Sequence, residues 1–118
     1  MRSSFALVLL TLPMSLTSKR VKPVRLHIVN RAPQFNRASS QALRAMGPDD
    51  KLVLIEDAVV AVLEREWQGW TLAPERVFVM EEDLSMRGLL DMVAPHQRVN
   101  VDALVQLTAE CEQTISWH

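Results

Sequence analysis

The chain has 118 residues, 48% of them hydrophobic and 23% charged, and a formal net charge of -1. That length holds one domain, and the composition is that of an ordinary globular protein, which excludes a disordered, fibrous or disulfide-stapled chain. One cysteine, Cys111, rules out an internal bridge and fits a reducing compartment, so a cytoplasmic location is expected. The near-neutral total conceals a division. Residues 1–48 carry eight Lys or Arg and no acid, whereas residues 49–118 carry five basic residues against all fourteen acids. An acidic body is a poor ligand for phosphates, so no direct nucleic-acid binding is expected.

Residues 1–23 stand apart from the rest of the chain. Arg2 and the apolar run 5–12 imitate a signal peptide, but no small-x-small cleavage site comes after them, and the run is far short of the roughly 20 residues that span a bilayer. The segment is read as an N-terminal extension, disordered or the product of a misassigned start, ahead of a domain at 24–118 with no membrane role. Residues 26–29 predict a first buried strand, which Ala32-Pro33 ends. A helix is expected over 36–46, with Ala42, Leu43 and Met46 on its apolar stripe and Gly47-Pro48 as its stop. Residues 52–55 read as the second strand. Asp57 is the expected cap of a helix over 58–67 that faces inward through Val59, Val62 and Leu63.

The run V-F-V-M-E-E-D-L-S-M-R-G-L at 77–89 is the strongest local signal. Continuous β-formers without alternation fit a strand buried on both faces, here 77–80. Asp83 is expected to cap the short helix 84–90 that comes next. Residues 98–101 predict a fourth strand, Asp102 the cap of a last helix with Leu104, Leu107, Thr108 and Cys111 on one face, and 114–117 a final edge strand. Strands alternating with helices predict an α/β fold: a single three-layer domain with a mostly parallel sheet of four to five strands.

Reactive chemistry is scarce. Three glycines, Gly47, Gly69 and Gly88, cannot write a dinucleotide or phosphate loop. His27, His96 and His118 lack metal-ligand spacing, and no G-x-S-x-G elbow occurs, so no catalytic, metal or cofactor residue is assigned. Cys111 is the one candidate nucleophile. Its neighbours Glu110 and Glu112 and its place late in a helix oppose thiolate formation, which favours a buried packing role. Asp57, Glu81, Glu82, Asp83 and Arg87 gather near strand ends, where capping and local ion pairing account for them and any further value is as recognition charge. Trp67 and Trp70 flank a turn, and with Asp83 and Arg87 they are the candidate partner-interface residues.

Four segments in order, L-H-I-V-N-R-A-P at 26–33, D-K-L-V-L-I-E-D-A-V at 50–59, the run at 77–89 and L-T-A-E-C-E-Q-T-I-S-W-H at 107–118, resemble the TusB/DsrH family. The resemblance spans roughly residues 25–117. It implies a DsrE/DsrF/DsrH-like fold and a non-catalytic subunit of a cytoplasmic sulfur relay complex. It also implies TusC-like and TusD-like partners in a dimer of heterotrimers, the D-type partner holding the active cysteine, with an indirect link to tRNA wobble-uridine 2-thiolation through sulfur carrier proteins. Relatives of the DsrH type carry a persulfide-competent cysteine on the first helix, where this chain has Ala42. Ala58 also stands where glycine is usual, and Val101 where tyrosine is common. Two other readings remain: a DsrH-like subunit of a sulfur-oxidation complex with Cys111 as persulfide carrier, and a free-standing α/β module for a small ligand.

Overall fold

The structure, a computed structural model, describes residues 6–10 and 24–118. Among these residues the sheet has six strands, β1 (Ala6–Leu10), β2 (Arg25–Val29), β3 (Lys51–Leu54), β4 (Val77–Met80), β5 (Arg98–Val99) and β6 (Gln113–Trp117), in the spatial order β1-β6-β2-β3-β4-β5. The five strands from β6 to β5 are mutually parallel, and β1 lies antiparallel to β6 at one edge. The α/β, mostly parallel reading therefore stands. Of the N-terminal segment 1–23, only 6–10 falls within the described residues, as that edge strand. The expected terminal edge strand consequently lies between β1 and β2.

Alternation along each strand feeds two cores. Leu52 and Leu54 of β3, Val77 and Val79 of β4 and Val29 of β2 turn to one face, where Ala38 and Ala42 of helix α1 (Ala38–Ala45) meet Val59, Ala61, Val62 and Leu84. Leu26, Val53 and Val99 turn to the other, against Leu107 and Cys111. Helix α3 (Val101–Glu110) covers this second face, completing three layers. Central strands are buried on both sides, which is why their sequences carry no polar alternation.

Several local expectations are corrected. The segment Glu56–Leu63 is a 3-10 helix rather than an α-helix reaching residue 67. Valines at 59, 60 and 62 crowd the preceding turn, and the carbonyls of Ala61 and Glu64 accept from Trp70 Nε1 at 3.0 and 3.1 Å beside the backbone N–H groups three residues on, those of Glu64 and Trp67. Helix α2 (Glu81–Met86) begins directly at the end of β4, so Asp83 lies inside its first turn and does not cap it. Asn100 rather than Asp102 caps α3, its Oδ1 accepting from the Ala103 N–H at 2.8 Å. Gly88, at φ +68, closes α2. There the Leu89 N–H reaches Leu84 O and the Gly88 N–H reaches Ser85 O, the paired bonds of a Schellman terminus that favours glycine in the left-handed region.

Candidate functional site

At the carboxyl edge of the sheet, where open α/β proteins build binding surfaces, α2 and the 3-10 segment interlock. Asp83 Oδ2 accepts from the Glu56 backbone N–H at 2.7 Å. This bond holds Glu56 at φ +51, a left-handed conformation costly for a residue with a Cβ. One turn on, Arg87 Nη2 donates to Asp57 Oδ1 at 2.6 Å. Asp83 and Arg87 are thus brought together, but as a tie between two elements with Asp57 as the third member. The ion pair is largely exposed, so it adds about 0 to 1 kcal/mol. Asn30 lies beside it, its amide donating to Glu56 Oε1 at 3.4 Å.

Trp67 and Trp70 form a separate group. Their rings meet edge to face with centroids 5.4 Å apart, both are half-buried against the first core, and the Trp70 N–H is satisfied by the carbonyls of Ala61 and Glu64. Gly69 between them is buried because Trp67's indole lies over it, leaving no room for a Cβ.

The most connected polar group has no counterpart among the sequence-derived site residues. Asp50, 2% exposed, precedes β3. Its Oδ2 accepts from the Gly47 N–H at 2.9 Å, His27 Nε2 at 2.9 Å and Arg25 Nε at 3.2 Å, and its Oδ1 accepts from the Arg25 N–H at 3.0 Å. Arg25 also reaches Ala45 O, and Arg76 donates to the carbonyls of Asp50 and Gly47. On the far side of the fully buried imidazole, Trp117 Nε1 donates to His27 Nδ1 at 3.1 Å, with the two rings stacked. An indole nitrogen only donates, so His27 Nδ1 must be the acceptor and Nε2 carries the proton toward Asp50. The imidazole is locked as one neutral tautomer. Burial lowers its pKa, helped by the Arg25 charge and opposed by Asp50. Burial works against ionising Asp50, but the Gly47 N–H, His27 and both Arg25 groups outweigh it and hold the carboxyl below its ordinary range. The sequence signal was the carboxylate doublet after Gly47-Pro48, which reads as an ordinary turn.

Cys111 ends α3 and is 2% exposed, packed with Leu26, Val53, Val99 and Leu107. Ala42, on the core side of α1, is fully buried. Among the described residues no group of three His, Cys, Asp or Glu side chains could hold a metal ion, and no helix is long and apolar enough to cross a membrane.

A family model described as DsrH like protein matches residues 31–114. The chain belongs to the DsrH-like family. Within that family it is similar to Protein TusB of Erwinia tasmaniensis, 30% identical over 95 residues that cover 78% of this chain and 99% of that protein. It is also 28% identical over 96 residues to Protein TusB of Shigella dysenteriae serotype 1 and of an Escherichia coli O6 strain, with the same coverages. The three positions at which the resemblance implies other residues lie at different depths. Ala42 and Ala58 are fully buried, whereas Val101 opens α3 at 52% exposure.

Proposed function

We propose that this chain is a non-catalytic subunit of a cytoplasmic sulfur relay complex, assembled with TusC-like and TusD-like proteins as a dimer of heterotrimers and serving 2-thiolation of the tRNA wobble uridine. Membership in the DsrH-like family supports a sulfur relay subunit. The observation that carries the non-catalytic reading is the burial of Cys111, the one thiol of the chain, among aliphatic side chains. A persulfide must meet its donor and its acceptor in turn, which needs a reachable thiolate stabilised by positive charge. Cys111 has Glu110 and Glu112 as chain neighbours instead, and the first helix offers a methyl group at Ala42.

The work of the subunit is then surface: it shapes and stabilises its neighbours through buried area. Trp67, Trp70, Asp83 and Arg87 belong to this proposal as interface residues, with the tie from Asp83 and Arg87 to the 3-10 segment fixing the edge they present. Co-expression with C- and D-type proteins tests the reading. A stable ternary complex whose sulfur transfer survives Cys111→Ala is the expected result. A monomer that ignores both proteins, or loss of transfer in the folded variant, would overturn it.

A further inference from the structure

Residues 24–48 hold four arginines and no carboxylate. Arg25 is engaged by Asp50. Arg31, Arg37 and Arg44 are exposed, and among the described residues no ion pair reaches any of them. Between Arg31 and Arg37 stands Phe35, 88% exposed. The loop that carries it is folded: the Phe35 N–H donates to Ala32 O at 3.1 Å, Asn36 Oδ1 accepts from the Ala38 N–H at 2.6 Å, and Gln34 Nε2 ties the loop to Val60 O at 3.1 Å. The ring is therefore held out into solvent by a fixed backbone. Beside it opens a hollow of about 310 Å3 lined by Arg31, Ala32, Phe35, Asn36, Asp57 and Val60. Asp57, its one carboxylate, is taken by Arg87.

An exposed aromatic beside arginines, next to a hollow of mixed lining whose apolar wall is Ala32, Phe35 and Val60, has the composition of an interface centre. Charge decides what it fits. We propose that this face docks a partner protein through an acidic surface bearing one projecting apolar side chain, which enters the hollow beside Phe35 while its carboxylates meet Arg31 and Arg37. The proposal rests on the reading of the chain as a subunit and adds a docking surface to the interface residues already proposed. A nucleic acid fits less well, because Glu56, Asp57 and Asp83 stand along the same sheet edge and repel a continuous phosphate backbone.

The test measures the affinity of the full chain for the co-purified C- and D-type pair. Phe35→Ser and the double variant Arg31→Glu/Arg37→Glu are compared with a control on α3, Val101→Ser/Val105→Ser. All these side chains lie outside the two cores, and thermal melts confirm folding. Phe35→Ser is expected to weaken binding about tenfold, and the double reversal more. Wild-type affinity should fall several-fold on raising salt from about 50 to 500 mM, with the reversed variant losing that dependence. The α3 control should stay within about twofold. Wild-type binding with unaffected loop variants overturns the surface alone. A wild-type chain that binds no such pair overturns the subunit reading and this assignment with it. Self-association abolished by the same variants would make the occupant a second copy, and displacement of the partner by tRNA would make it RNA; either contradicts the proposal.

Discussion

Replacing Asp50 by Asn is the sharpest probe of the fold, because it changes one atom and reverses the polarity of part of a buried junction. Asp50 Oδ2 receives three donors, from Gly47, His27 and Arg25, and Oδ1 receives the Arg25 N–H. An amide nitrogen at the first position meets three donors, and at the second it meets one. The variant will choose the second and still oppose one N–H group there, while the Arg25 charge loses its counter-ion. Removing one member of a buried pair costs about 3 to 5 kcal/mol. Arg25 keeps its bond to Ala45 O and is 29% exposed, which places the expected loss near the lower end, about 3 kcal/mol. Against a total stability of about 5 to 15 kcal/mol, that is readily measured by urea unfolding at pH 7.

The pH dependence provides an internal check. The folded Asp50 carboxyl is depressed below its ordinary 3.8, so its stabilisation is complete above that value and is lost as pH falls through the lower folded value. The gap between wild type and variant should not shrink between neutral pH and about 4, because the variant's His27 has lost the carboxylate that opposes the lowering of its pKa, and it should close below that. A loss within about 0.5 kcal/mol at pH 7, well under the cost of breaking a buried pair, or a gap that ignores acid, would refute the role assigned to this junction.

The other expectations concern single sites. His27 has a folded pKa below 6.5, so the unfolded chain takes up a proton the folded chain refuses; wild-type stability should decline as pH drops below about 6.5, by at most about 1.4 kcal/mol per pH unit from this group. Trp117→Phe leaves His27 Nδ1 buried without its donor and should cost about 1 to 3 kcal/mol, read by thermal unfolding; an unchanged midpoint would show that the indole bond contributes nothing. Gly69→Ala drives the Trp67 ring off its seat and should cost about 1 to 3 kcal/mol with an altered tryptophan emission. Gly88→Ala meets no neighbour but carries a Cβ into the left-handed region, for about 1 to 2 kcal/mol; a neutral result would contradict the Schellman terminus.

The strands were legible because burial on both faces writes itself locally, as in L-V-L and V-F-V-M. Helix ends were less so. Asn100 and Asp102 are both good caps, and which one serves depends on where β5 stops. The 3-10 segment was hidden because its cause lies outside it, in an indole nine residues from Ala61 and a carboxylate 27 residues from Glu56. The Asp50 junction was hidden for the same reason: its partners stand 23 and 25 positions upstream, and Trp117 closes on His27 from 90 positions away. Phe35 escaped notice because one aromatic in a polar loop carries no period. Cys111 was readable as a packed side chain because Leu104 and Leu107 share its helical face.

In the proposed relay, sulfur passes through the assembly without resting on this chain. The direct measurement is mass spectrometry of the subunit taken from the working complex, fed with isotopically labelled sulfur through the sulfur carrier proteins of the proposed relay. Label is expected on the D-type partner and none on Cys111. A labelled persulfide on Cys111, formed at the rate of turnover, would contradict it.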